Sequence, residues 1–287
     1  MVARHSAFYS PVIGAIAAGF LGEERLEATY DVLRAGQRSH VLIRDGAVDI
    51  MQSAVSSNWK PMDEGESPLP VHFAQINRRD GFFLAGRAPD PSFHWRKLEG
   101  KTLLADHGLQ PLVMLKYAAH CQGVDWSKIR VVDAGSVEQM DAAFRAGQGD
   151  YVHQQGPAPQ QLQKAGVGFI VASVGEAMPL VAFSSLCASR EFLETETAQR
   201  FLSAYRKSRA WVQQTPAAEV MRAQAGFFPN TDSEALTAAI ERYQRLGCWE
   251  GDIKISRELY EQALNVFEFS GAIRKRHPFE AVVIDAN

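Results

Sequence analysis

Between Val2 and about Val181 the chain alternates short apolar runs rich in β-branched residues with segments of helical period. No other feature restricts the fold so tightly. A branched apolar run too short for a helix has to pair as a strand, and helices set between successive strands require βαβ units around parallel sheets. The spacing predicts strands at Val2–His5, Leu26–Leu33, Ala47–Ser53 and Val71–Ile76, with helices at Pro11–Leu21 and Gln37–Arg44. Ser10 is expected to cap the first helix and Pro11 to sit in its first turn, where a missing N–H leaves no bond unmade.

A second block repeats the pattern. Strands at Lys101–Asp106, Ile129–Asp133, Asp150–Gln154 and Val167–Ala172 alternate with helices at Gln110–Gln122, Val137–Ala146 and Ala158–Ala165. Ser136 opens the second of these helices and Pro157 precedes the third. The stretch GFFLAGRAPDP, Gly81 to Pro91, is a strand running into a proline bend, and Gly175–Ser189 is a further β-rich run. Helices are predicted from there almost to the end, at Glu191–Gln214, Pro216–Ala225, Asp232–Leu246 and Ser256–Phe269. Two connections therefore join the blocks. The expected architecture is α/β with two lobes, residues 1–84 and 182–287 forming lobe I and residues 85–181 lobe II, each a mixed sheet flanked by helices, and the helical C-terminal part lying on lobe I.

Composition narrows the function classes. Thirty Lys plus Arg against thirty-three Asp plus Glu give a net charge of −3 with no long run of either sign, which disfavours nucleic acid as a partner. Every apolar stretch is interrupted by charge before it reaches the length of a membrane span, so direct membrane insertion is not expected. Cys121, Cys187 and Cys248 are widely separated and the eight histidines are scattered, a pattern of packing residues and not of a metal site, and no cofactor motif is present.

The order of segments carries a resemblance. FYSPVIGAIAAGFLGEERLEATYDVLRAG, then LIRDGAVDIMQSA, then LEGKTLLADHGLQPLVMLKYAAHCQGVDWSKIRVVDAG, then MDAAFRAGQGDYV, resembles the substrate-binding proteins of the nitrate, sulfonate, taurine and thiamine-precursor ABC importers over about residues 2 to 270. The resemblance implies a type II periplasmic-binding-protein fold that holds a small organic ligand between two closing lobes, works with an ABC permease and ATPase pair, and is a monomer. Some relatives of that fold are enzymes, including a sulfinate desulfinase with a cleft cysteine, so a cytoplasmic lyase, hydrolase or desulfinase-like enzyme is the alternative, with His107 and Asp106, or Glu176, as its acid–base candidates.

Strand ends locate the cleft independently, because ligands in open α/β sheets lie beyond the carboxyl ends of strands, beside helix N-termini. In lobe I these ends carry Tyr9 and Ser10, then Ser53 and Ala54 in the turn QSAVSSNW, then Asn77 beside Arg78 and Arg79. In lobe II they carry Asp106, Leu109 and Gln110, then Gln154 and Gln155, with Glu176 after the last strand. Each has a plainer reading as a cap, a packing residue or solvated surface. Gln154 and Gln155 stand out, since consecutive amides ending an apolar strand need partners if buried. Tyr, Trp, Asn and Gln suit a neutral heteroaromatic such as a thiamine-precursor pyrimidine; an inward Arg78 or Arg79 would favour a sulfonate or aromatic acid instead.

FYSPVIGAIAAGFLGEE, Phe8 to Glu24, has the look of an export signal, yet its removal would delete the first helix and the Tyr9–Ser10 edge of the cleft. It is therefore expected to belong to the fold. The protein would be periplasmic if a separate leader had been removed and cytoplasmic otherwise.

Overall fold

The computed structural model describes residues 1–285 and contains two sheets. The first has three strands in the order β1 (Met51–Ser53), β8 (Ser184–Ala188), β2 (Val71–Asn77), with β8 antiparallel to both neighbours. The second has five, in the order β5 (Arg130–Val132), β4 (Thr102–Leu104), β6 (Tyr151–Gln155), β3 (Phe82–Gly86), β7 (Phe169–Ser173). Its β5–β4–β6 half is parallel, joined by the expected crossover helices, and β3 and β7 close it antiparallel.

β2, β3 and β8 are buried at every position because helices or loops cover both faces; β3 is accordingly apolar throughout, and β2 and β8 carry buried polar side chains as well. β5, at the edge, is partly exposed throughout. The chain passes from the first sheet to the second over residues 78–81 and returns over 174–183. These crossovers lie so closely against each other that a Cβ added to Gly175 would overlap the Asp80 carbonyl oxygen.

The expectation departs from the structure mainly at the N-terminus. Val2–His5 and Leu26–Leu33 are not strands; Val2 alone makes single parallel bridges, to Val32 and Gln52. Ala47–Ser53 shortens to the three residues of β1. Ser10 is not the cap of the first helix, which spans Ser10–Ala17. A 3-10 turn, Ala7–Tyr9, runs straight into that helix, and Ser6 caps the turn by accepting the Phe8 N–H. Ser10 is fully buried, its hydroxyl bonded to the Ala7 carbonyl and the Gln224 side chain.

Elsewhere local chemistry matches the pattern. Ser136 and Gln139 form a reciprocal capping box, and Asp232 accepts the N–H groups of Glu234 and Ala235. The helix Ser233–Arg245 bridges the two sheets. Its Tyr243 hydroxyl donates to the Gly81 carbonyl at 2.9 Å and accepts the Gly156 N–H at 2.7 Å, bracing a crossover and a turn of the second sheet together. Among the described residues no helix is long and apolar enough to cross a membrane.

Candidate functional site

The turns that follow strands of both sheets meet around a cavity of about 200 Å³, room for about seven waters. The first sheet supplies Arg4, Tyr9, Ser53 and Ala54; the second supplies Gln155 from the end of β6 and Gln110 from the start of the helix Leu109–Cys121. Phe82, at the start of β3, and Phe183 and Ser184, entering β8, form the floor where the crossovers pass. Cavities of comparable or larger volume lie elsewhere, one of about 280 Å³ beside Tyr30 and Phe201 and one of about 560 Å³ beside Arg78 and Glu250. Neither is walled by strand-end turns of both sheets.

Direct bonds join the two sides of the cleft. The Arg4 guanidinium meets the Asp106 carboxylate at 2.6 Å, and the Ser6 hydroxyl donates to the Gly156 carbonyl at 2.6 Å. The Gln110 amide donates to the Phe183 carbonyl at 2.6 Å and accepts from the Ser56 hydroxyl at 2.9 Å.

Five of the sequence-derived candidates, Tyr9, Ser53, Ala54, Gln110 and Gln155, face one another across the cavity. The others lie off its wall. Ser10 is buried beneath it. Asn77 is fully buried, its amide donating to the Phe8 carbonyl and accepting from Ser184, so it holds wall residues in place. Asp106 stands behind Arg4 and also accepts the Gly108 N–H at 2.8 Å. Leu109 is 60% exposed. Glu176 pairs with Arg242 at 2.9 Å on the outer surface.

The two glutamines part for a geometric reason. Successive side chains of a strand point to opposite faces. Gln155 is in register with Phe82 on the cavity face, and Gln154 with Phe83, whose ring lies 5.6 Å from that of Tyr243 on the other. Both side chains are at least nine-tenths buried, and neither amide has a hydrogen-bond partner among the described residues.

Phe82 is held from both sides, with the His153 ring stacked at 4.5 Å and the Arg4 guanidinium 5.4 Å from its centroid. His153 is fully buried with both ring nitrogens unpartnered among the described residues, and burial pushes its pKa down to about 3, so the ring is neutral. Asp80, in the first crossover, is likewise buried and is pushed up to about 7 by the loss of water around it; one oxygen accepts the Phe82 N–H and the other has no partner among the described residues. Burial also raises the Tyr9 phenol.

Sequence patterning does not point to Arg4, Phe82, Phe183 or Ser184. Arg4 is hidden by the strand expected at Val2–His5: pairing ends at Val2, so the turn that shapes the cleft begins earlier. Arg78 and Arg79 do not face the cavity. Arg79 donates to the Gly175 carbonyl, and Arg78 lies beside Gly251. The cysteines stand away from it too, Cys121 exposed on its helix, Cys187 and Cys248 buried with thiols pushed up by desolvation, Cys187 to about 12.

No family model matches the chain. A curated relative from Bacillus subtilis (strain 168), YtlA, provisionally named a binding protein, is 28% identical over 286 residues, spanning 97% of this chain and 85% of the relative. Among solved structures, the periplasmic aliphatic sulphonate binding protein SsuA from Escherichia coli superposes with a TM-score of 0.76 at 12% identity, over 98% of this chain and 91% of that one. The alkanesulfonate-binding protein SsuA from Xanthomonas axonopodis pv. citri, solved bound to MOPS, gives 0.73 at 16% identity, over 98% and 96%. The chain has the fold of these proteins and resembles the substrate-binding components of ABC importers, as its segment order implied.

Proposed function

We propose that the chain is the substrate-binding component of an ABC-type importer and that it holds one small organic ligand in the cavity between its sheets. The lobes then follow the sheets and hinge at the two crossovers, with the first boundary at 78–81 and not at the expected residue 84, because β3 (Phe82–Gly86) pairs in the second sheet, and the return at 174–183; a permease and ATPase pair takes the ligand from the closed form. The observation that carries this reading is the cavity itself, a shared space bounded by strand-end turns of both sheets and lined by the Tyr9 phenol beside the buried Gln155 amide.

The likeness to SsuA supports a sulfonate, and an aromatic acid fits the same cation, Arg4; the Tyr9 ring and the Gln155 amide equally suit a pyrimidine of the thiamine-precursor type. Export of the mature chain to the periplasm follows from an uptake role, and a monomer is sufficient for it.

Thermal-shift screening with sulfonates, pyrimidines and aromatic carboxylates tests this, because a ligand bound only by the folded state raises the melting temperature. A hit recovered unchanged after long incubation supports binding without turnover. A hit that is consumed overturns it in favour of an enzyme on the same scaffold.

A further inference from the structure

We infer, resting on the binding reading above, that Asp106 sets the charge class of the ligand: by holding Arg4 it makes the closed cleft electrically balanced, so the cleft selects molecules of zero net charge, zwitterions or neutral compounds, over simple monoanions. Arg4 is the one charged side chain in the cavity wall among the described residues, and Asp106 is the carboxylate it meets. The two come from opposite sides of the cleft and are paired in this structure. The pair sums to zero. His153 is neutral, and Asp80, pushed up to about 7, keeps its proton on the acid side of neutrality, so the balance is complete below about pH 7. The next acid, Glu138, is exposed and bonded to Ser136.

A buried charge is tolerated when it is paired and is costly when it is not. Were Arg4 alone in the wall, a monoanion would neutralise it. With Asp106 already there, a monoanion leaves the closed cleft with an excess negative charge, whereas a zwitterion sets its anionic end on the guanidinium and its cationic end towards the carboxylate. Arg4 retains donors for this, since Asp106 is its single side-chain partner among the described residues and the guanidinium carries five N–H groups. Its side chain is 28% exposed, so water moderates the effect without removing it. Asp106 is thus a positioning and selectivity residue that acts through Arg4.

The test is a set of size-matched probes, taurine against isethionate and β-alanine against propionate, with cytosine as a neutral member, titrated calorimetrically into the wild-type chain, Asp106→Asn and Arg4→Gln. Asparagine keeps an acceptor for the Gly108 N–H, so the turn is retained. The wild type is expected to prefer the zwitterion of a pair, and Asp106→Asn to gain about tenfold or more for the monoanion, inverting the preference; Arg4→Gln is expected to lose both members while keeping any affinity for cytosine. A simple structural role would weaken every probe alike and would not invert a pair. A wild type that favours monoanions, or an Asp106→Asn preference equal to that of the wild type, overturns the inference while leaving the binding reading intact. If no probe binds any of the three proteins but other small molecules do, a preference among those hits for monoanions over neutral or zwitterionic compounds overturns the charge rule and the reverse supports it; if nothing at all binds, the binding reading falls and takes the inference with it.

Discussion

Asp80 shows what burial does to a single side chain. Its folded pKa, about 7, stands above the ordinary carboxylate value, so between roughly pH 4 and 7 the unfolded chain releases a proton that the folded chain keeps. Folding stability therefore falls as pH rises through that window, by no more than about 4 kcal/mol in all. Asp80→Asn, which preserves the acceptor for the Phe82 N–H, is expected to raise the melting temperature at pH 8 and to have little effect at pH 4. Equal effects at both pH values in a thermal scan would reject this account. His72 and His153 act with the opposite sign, since burial lowers both to about 3 and stability is lost as pH falls from about 6.5. None of this was legible in the sequence, because Asp80 and His153 are ordinary residues until the crossover and the sheet bury them. Gln154 and Gln155 were legible as unusual, though which of them faces the cavity depends on the pairing register with β3.

The crossovers are the elements on which the two-sheet arrangement depends. At their contact the Gly175 Cα faces the Asp80 backbone with no room for a side chain. Gly175→Ala is expected to cost roughly 1–3 kcal/mol through forced displacement of one crossover, read as a lowered denaturation midpoint with an unchanged slope. Tyr243→Phe leaves the Gly156 N–H and the Gly81 carbonyl without their shared hydroxyl, a loss of about 1–3 kcal/mol for buried groups left unpaired; no change in the midpoint would mean that water replaces the hydroxyl. Among elements, the crossover helices of the second sheet and the long C-terminal helices were the most legible, because helical period, a serine or aspartate cap and a proline breaker coincide there. The N-terminal strands were the least. Val2–His5 and Leu26–Leu33 have strand-like composition, yet tertiary packing leaves only isolated bridges at Val2 and Val32, and composition carries no information on how many partners a strand will find.

For the molecule as a whole, the bonds across the cleft are few and each side retains its own sheet. Opening should thus require no unfolding. A compact chain of this length has a radius of gyration of about 19 Å. The double variant Ser6→Ala with Gln110→Ala, which deletes three of the contacts across the cleft, is expected to enlarge that radius in solution scattering while the melting temperature stays nearly constant. An unchanged radius would show that the Arg4–Asp106 pair and the Tyr243 brace suffice to hold the cleft shut. The two-sheet plan was readable from segment order, since the two strand-like connections appear as distinct runs between helical blocks. The identity of the cleft cation was not, because it lay inside a segment whose pairing stops after one residue.

The opposite facing of Gln154 and Gln155 gives the fold a way to change what it accepts without any substitution at the cavity. Loss of one residue from the turn before β6 that slid this strand by one position against β3 would turn Gln154 inward and Gln155 outward. Small insertions and deletions in distant turns would then act as a drift mechanism for ligand preference, leaving the surrounding scaffold intact.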